Sequence, residues 1–262
     1  IGAALLLLVI AVAASAGSIS PFGPLEMVAE PFLRPGQDME FPLGTDMLGR
    51  DILTGIFHGA RISLFIGGLA TAVSLVIGVT IGALSGYYGH WPDRVLMRIT
   101  ELFQTVPSFL FAVTLVAIFQ PSIVSIVLAI GVTAWPQLAR LVRAEVLKVR
   151  KSELVQAEIS IGASDFRIIV LHVLPNVIAP VIVSASIMAA TAILTESSLA
   201  FLNMGDANVV SWGGMVGQGR EVLRTDWYIA AIPGIAIMIT VLALNLLGDG
   251  INDILDPRSQ RR

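Results

Sequence analysis

The 262-residue sequence contains no cysteine, so disulfide scaffolds, thiolate metal centres and cysteine nucleophiles are excluded. Charge is scarce as well: 13% of residues are Asp, Glu, Lys or Arg, against roughly a quarter in soluble domains. Lysine occurs only at Lys148 and Lys151, and neither follows a Gly-x-x-x-x-Gly run. The chain therefore has no P-loop of its own. A net charge of −3 offers no basic excess for nucleic acid. His58, His90 and His172 lie far apart in sequence and show no metal-ligand spacing.

What fills the chain is apolar: 55% of residues are hydrophobic and the mean hydropathy is +0.84. Six stretches, 1–16, 62–87, 102–119, 122–139, 173–195 and 227–248, hold no Asp, Glu, Lys or Arg. A bilayer core of roughly 30 Å takes about 20 apolar residues as a helix, and a helix satisfies its own backbone in lipid. The pattern predicts an all-α integral membrane protein with six transmembrane helices. Residues 1–17 are expected as the first helix, although Ala14-Ser15-Ala16 also resembles a signal-peptidase site. Residues 18–60 read as an extracytoplasmic loop with short helices, 61–258 as a core of five further helices, and 259–262 as a tail. With alternating helices and a cytoplasmic N-terminus, 11 of the 16 Lys and Arg residues fall on inside connectors. That bias predicts an N-in, C-in topology.

In the second stretch, Ala70, Ser74, Gly78, Gly82 and Gly86 put a small residue at every fourth position. On a 3.6-residue helix they form a narrow stripe, a packing seam on which another helix can approach backbone to backbone. Pro107, Pro180 and Pro233 lie in or near three spans, where kinks are tolerated. Glu101, Glu196 and Asp249 fall at helix ends, where headgroups or water are expected to solvate them. A midplane carboxylate, the usual mark of a proton relay or ion-coupled transporter, is missing. Any path is expected to be lined by Ser, Thr, Asn and backbone. Trp212, Trp227 and Tyr228 read as interfacial anchors.

Residues 140–175 contain the longest inside connector, read as two short amphipathic helices around a turn. Residues 138–147 carry apolar side chains at helical spacing. Ser152 is placed to cap a second helix with Glu153 in its first turn, and Leu154, Ala157 and Ile161 share one stripe of it. Gly162 ends that helix, and Ser164 or Asp165 can cap the next. An exposed apolar stripe needs a cover, which predicts a protein partner. The run Gln156-Ala157-Glu158, then Gly162, then His172-Val173-Leu174-Pro175 resembles the EAA motif of ABC-importer permeases. That motif reads Glu-Ala-Ala, three residues, Gly, nine residues, Ile-x-Leu-Pro; Gln156, Glu158 and His172 depart from it.

A second block agrees. Gly44, Thr45, Asp46, Gly49, Arg50 and Asp51, followed by Gly59-Ala60-Arg61, are similar to the run before the second membrane helix of dipeptide/oligopeptide permeases of the DppC/OppC type. Gly86-Tyr87-Tyr88-Gly89, Trp91-x-Asp93-Arg94, residues 196–202 and 245–250, and Asp256-Pro257-Arg258 extend the likeness over 42–258. The resemblance implies a type I importer permease in the lipid of a bacterial or archaeal inner membrane. It implies a second permease subunit, two cytoplasmic ATPase subunits that bind ATP and Mg, an extracytoplasmic solute-binding protein, and no cofactor in this chain. Leu154, Gln156, Ala157, Glu158, Ile161, Gly162, Ala163, Ser164 and Asp165 would form the coupling helix that docks on an ATPase. The 44–51 block would either receive the binding protein or serve structure alone. Relatives of this kind carry dipeptides, oligopeptides, glutathione, peptide-like antibiotics or nickel. Of the rival readings, a stand-alone transporter or channel leaves the loop unexplained, and an intramembrane enzyme lacks a catalytic set.

Overall fold

The computed structural model describes residues 1–19 and 22–255; the Asp256-Pro257-Arg258 match and the 259–262 tail lie outside the described residues. Every regular element among the described residues is a helix, and none is a strand. The helices are α1 (Gly2–Ile19), α2 (Ile52–Tyr88), α3 (His90–Gln104), α4 (Ser108–Phe119), α5 (Ile123–Val149) and α6 (Glu153–Ser160). They continue as α7 (Asp165–Ile168), a π-turn (Ile169–Val173), α8 (Leu174–Phe201), α9 (Trp212–Gly219) and α10 (Tyr228–Leu255). Four segments, Ile52–Tyr88, Ile123–Val149, Asp165–Phe201 and Tyr228–Ile254, are long and apolar enough to cross a bilayer. α3 and α4 together make a fifth candidate, but they meet at 80°.

That bend breaks the single span expected over 102–119. Pro107 has no N–H and disfavours the α conformation at Val106. The chain restarts as α4 at Ser108, whose 12 residues reach only about 18 Å. α1 is apolar but shorter than a full span, and it packs on α10 and α2. Arg61 of α2 donates from Nε to the Ala13 carbonyl (2.5 Å) and from Nη2 to the Ala14 carbonyl (2.9 Å). These bonds tie α2 to the last turns of α1.

Other boundaries differ from the sequence reading too. The 18–60 segment holds no short helices among its described residues before Ile52, where α2 already begins. Asp51 sets that start: its carboxylate accepts from the Leu53 N–H (3.1 Å), the Thr54 N–H (2.9 Å) and the Thr54 hydroxyl (2.6 Å). Residues 138–147 are not a separate helix but the end of α5. On the return side, α7, the π-turn and α8 run as one helical segment. The wide turn directly precedes Pro175, which has no N–H to close an ordinary α-turn.

The stripe Ala70, Ser74, Gly78, Gly82 and Gly86 lies against α5. A Cβ on Gly82 would sit 2.5 Å from the Ala139 carbonyl oxygen and 2.7 Å from the Val142 Cβ. At Gly78 it would meet Leu138 at 2.9 Å, and at Gly86 the Arg143 carbonyl oxygen at 2.9 Å. Ala70 is fully buried, and the Ser74 hydroxyl donates to the Gly131 carbonyl across the seam (2.9 Å). At one end of the seam, Asp93 of α3 grips Arg143 of α5 through Nε (2.5 Å) and Nη2 (2.6 Å), and also accepts from Ser85 of α2.

The opposite end of the bundle is fastened differently. Glu196 is 1% exposed and accepts from the Ser211 hydroxyl (2.7 Å), while Ser211 caps α9 by accepting from the Gly214 N–H (3.1 Å). Trp212 is equally buried; its backbone N–H donates to Ser63 (3.2 Å) and its indole to the Ile56 carbonyl (2.9 Å). Glu196 is therefore held inside the protein, not solvated at a helix end. Trp212 and Tyr228 are core residues, and of the three expected anchors only Trp227 is exposed.

Gly82→Leu is expected to cost about 3 kcal/mol by forcing α2 off α5. Gly68→Leu, where a Cβ meets nothing within 4 Å, serves as the matched control. Thermal melting of the two variants in detergent checks this: only Gly82→Leu should lower the midpoint.

Candidate functional site

The segment from Arg150 to Ser164 leaves the bundle at the end of α5 and returns through α7. Its shape is fixed from inside. Val155 is fully buried and joins Val142, Val146, Ile168 and Val173 in one cluster. Gln156 donates from its amide to the Arg150 carbonyl (2.8 Å), drawing α6 back onto α5. The Tyr87 hydroxyl donates to Asp165 Oδ1 (2.9 Å), and the Arg150 guanidinium lies over the Tyr87 ring, 5.7 Å from its centre. Glu158 Oε1 stands 3.5 Å from His172 Nε2. α6 then closes with a Schellman turn: Gly162 N–H donates to Ile159 O and Ala163 N–H to Glu158 O, each at 3.1 Å. Gly162 takes φ +81°, open to glycine and strained for other residues.

What this scaffold presents outward is apolar. Leu154 is 55% exposed, while Ile161 and Phe166 are each 78% exposed. Ala157, Gly162 and Ser164 are exposed beside them, and a Cβ on Gly162 would meet nothing within 4 Å. Ala163 is half-buried and packs on the Val155 cluster. The nine residues singled out from the sequence thus divide. Leu154, Ala157, Ile161, Gly162 and Ser164 are at the surface, whereas Gln156, Glu158 and Asp165 use polar atoms within the loop's own framework. Ser152 and Ser164 occupy N-cap positions without a side-chain capping bond. Phe166, Val155 and the Tyr87 tether were not among the nine. An aromatic residue four positions after Gly162, in a polar turn, was the available signal for Phe166.

The 44–51 block is spent mostly on its own fold. Thr45 is fully buried; it donates to the Glu30 carbonyl (2.6 Å) and accepts from the Leu33 N–H (3.0 Å). Asp46 accepts from the Leu48 and Arg50 N–H groups (2.8 and 2.9 Å), while Asp51 caps α2. At Gly44 and Gly49, both at positive φ, a Cβ would press on the Leu33 and Ala29 carbonyl oxygens. Arg50 forms no ion pair with Asp51 among the described residues, and its buried Nε lacks a hydrogen-bond partner there. Nearby, Asp206 accepts from the Asn208 and Ile123 N–H groups, which hold its carboxyl below the usual carboxylate range against the opposing effect of burial.

A cavity of about 400 Å³ opens between α2, the α3–α4 elbow, α5 and α8. Six hydroxyls line it, and the protons of five are committed: Thr71, Ser74, Thr133, Thr191 and Thr195 donate to helix carbonyls at 2.7–2.9 Å, leaving Ser108. They show the cavity acceptor lone pairs. Gln104 adds a buried Oε1 without a partner among the described residues. The arrangement suits solutes that carry N–H donors.

Tyr87→Phe removes the Asp165 tether and should loosen the loop by about 1 kcal/mol. Amide exchange across 153–165 is expected to quicken about fivefold, while exchange in α2 and α5 stays as it was.

Residues 78–261 match the family model described as "Binding-protein-dependent transport system inner membrane component". The chain is 36% identical to the di/tripeptide transport system permease of Pseudomonas aeruginosa, over 98% of this chain and 87% of that protein. It is 40% identical to the dipeptide transport system permease of Alkalihalophilus pseudofirmus (85% and 74% covered). It is 37% identical to the glutathione transport system permease of Pectobacterium atrosepticum (96% and 84%). A chain of the inward-facing MetNI methionine ABC transporter shares the fold, with a TM-score of 0.64 at 17% identity, covering 77% of this chain and 96% of that one. Helical spans, family model and relatives agree, and the chain belongs to the inner-membrane components of binding-protein-dependent transport systems.

Proposed function

We propose that this chain is the permease subunit of an ATP-driven peptide importer in a bacterial inner membrane, with six membrane elements and both termini in the cytosol. The elements are α1, α2, the α3–α4 elbow, α5, the α7–α8 segment and α10. The excess of Lys and Arg on the connectors that include 150–164 supports this orientation. Peptides are assigned as the solute because relatives along most of the chain are permeases for di/tripeptides, dipeptides and glutathione.

One observation carries the reading: the apolar surface of Leu154, Ile161 and Phe166, held stiffly by buried contacts and left uncovered. A surface of that kind suits docking on a cytoplasmic ATPase. Two ATPase subunits hold ATP and Mg; this chain, without a P-loop, needs no cofactor and is a transport component, not an enzyme. A second, different permease closes the open side of the cavity, and a solute-binding protein delivers to the face formed by the 22–51 and 202–211 loops. Shifting a two-state gate from 1:99 to 99:1 takes about 5.5 kcal/mol. Nucleotide binding by the partners supplies that bias through the docked loop.

Gly162→Trp fills the open position beside the apolar surface. The variant is expected to insert with its spans folded, the strain confined to the turn at φ +81° that closes α6, yet to lose co-purification with the ATPase subunits. Their undiminished recovery would refute docking at this loop. The isolated chain is expected to hydrolyse no ATP, measured after stringent removal of the ATPases.

A further inference from the structure

Arg140 lines the 400 Å³ cavity, and among the described residues around that cavity it is the only charged side chain. It stands on α5 with Thr133 and Gln137, at i, i+4 and i+7, so the three share one helix face. Arg140 is exposed and makes no hydrogen bond or ion pair among the described residues. Neighbouring cations are engaged: Arg143 is gripped by Asp93 on both nitrogens, and Lys148 is paired with Glu145 at 2.7 Å. Arg140 is thus an uncompensated cation facing the proposed path.

The rest of the lining sharpens its role. Five hydroxyls have already given their protons to helix carbonyls, so they can accept from a solute's ammonium or amide N–H. They cannot donate to its carboxylate without breaking a bond. The cavity's donors for a carboxylate are the Ser108 hydroxyl, the Gln104 and Gln137 amides and the Arg140 guanidinium, and a charge-assisted bond to the last is the strongest of these. No carboxylate lines the cavity to compete for it. α5 starts at Ile123, so Arg140 lies about 25 Å along the helix, near the mouth from which the 150–164 loop emerges.

We propose that Arg140 is a charge-selecting residue of the solute path, which engages the carboxylates of a passing peptide at the loop-side mouth and speeds anionic peptides over cationic ones. The inference rests on the importer reading above. Since delivery is set by the binding protein, Arg140 acts on the maximal rate and not on the half-saturating concentration.

The test uses the complete importer with its binding protein in proteoliposomes. Uptake of alanyl-glutamate, dialanine and alanyl-lysine is compared for the native chain, Arg140→Gln, Arg140→Lys and Arg140→Glu. Arg140→Gln should lower the ratio of maximal rates, alanyl-glutamate to alanyl-lysine, about tenfold. Arg140→Glu should lower it further, and Arg140→Lys should restore most of it. ATP hydrolysis stimulated by the binding protein should hold throughout. An unchanged ratio overturns the inference, as does an equal fall for all three peptides, which would mark a structural role. If the native complex takes up none of the three, the peptide-importer reading fails instead, and the two failures are told apart.

Discussion

The structure depends on how closely α2 can approach α5. Between helices in lipid the hydrophobic effect contributes little, because the surroundings are as apolar as the side chains. Close packing and bonds across the interface must do the joining. Gly78, Gly82 and Gly86 bring the α2 backbone against carbonyls and β-carbons of α5, and Ser74 adds a hydroxyl bond to Gly131. With the two helices in register, Asp93 reaches Arg143, Tyr87 reaches Asp165, and Val155 finds the cluster built by α5 and the α7–α8 segment. The loop inherits its rigidity from the seam.

That dependence links two features separated along the chain. The coupling role proposed for the loop calls for an apolar surface that a partner can cover and a stem that does not yield when pushed. Here the same short helix supplies both. Leu154, Ala157 and Ile161 lie on one side, and Val155, about a third of a turn away, is sunk in the core. The buried position lends stiffness to the exposed ones.

Much of this was legible in the sequence. Uncharged runs, the four-residue spacing of small side chains and the EAA-like spacing from Gln156 to Pro175 are local patterns, and they locate the spans, the stripe and the loop. What was not legible depends on contacts distant in sequence. Glu196 reads as solvated because it ends an apolar run, yet Ser211 folds back to cover it. Trp212 reads as an anchor because tryptophan favours interfaces, but Ser63 and the Ile56 carbonyl bind both its N–H groups inside the protein. The uncharged run around 102–119 reads as one span, since composition does not register the direction change that Pro107 permits. In the 44–51 block, Asp51 is the cap of α2, a role fixed only by where the helix begins.

The fastening of Trp212 and Glu196 has a mechanical consequence. α2, α8 and α9 are riveted together at that end, whereas the far end of α8 continues through the π-turn into α7, which is clasped to α2 by the Tyr87–Asp165 bond. A rod pinned at one end converts a small rotation into a large excursion at the other. From Glu196 back to Leu174, where α8 begins, is about 33 Å of helix, so a tilt of about 5° about the pinned end would carry the other through roughly 3 Å. The buried carboxylate is thus placed as a fulcrum, about which a small pull at one surface would become a larger displacement along α8.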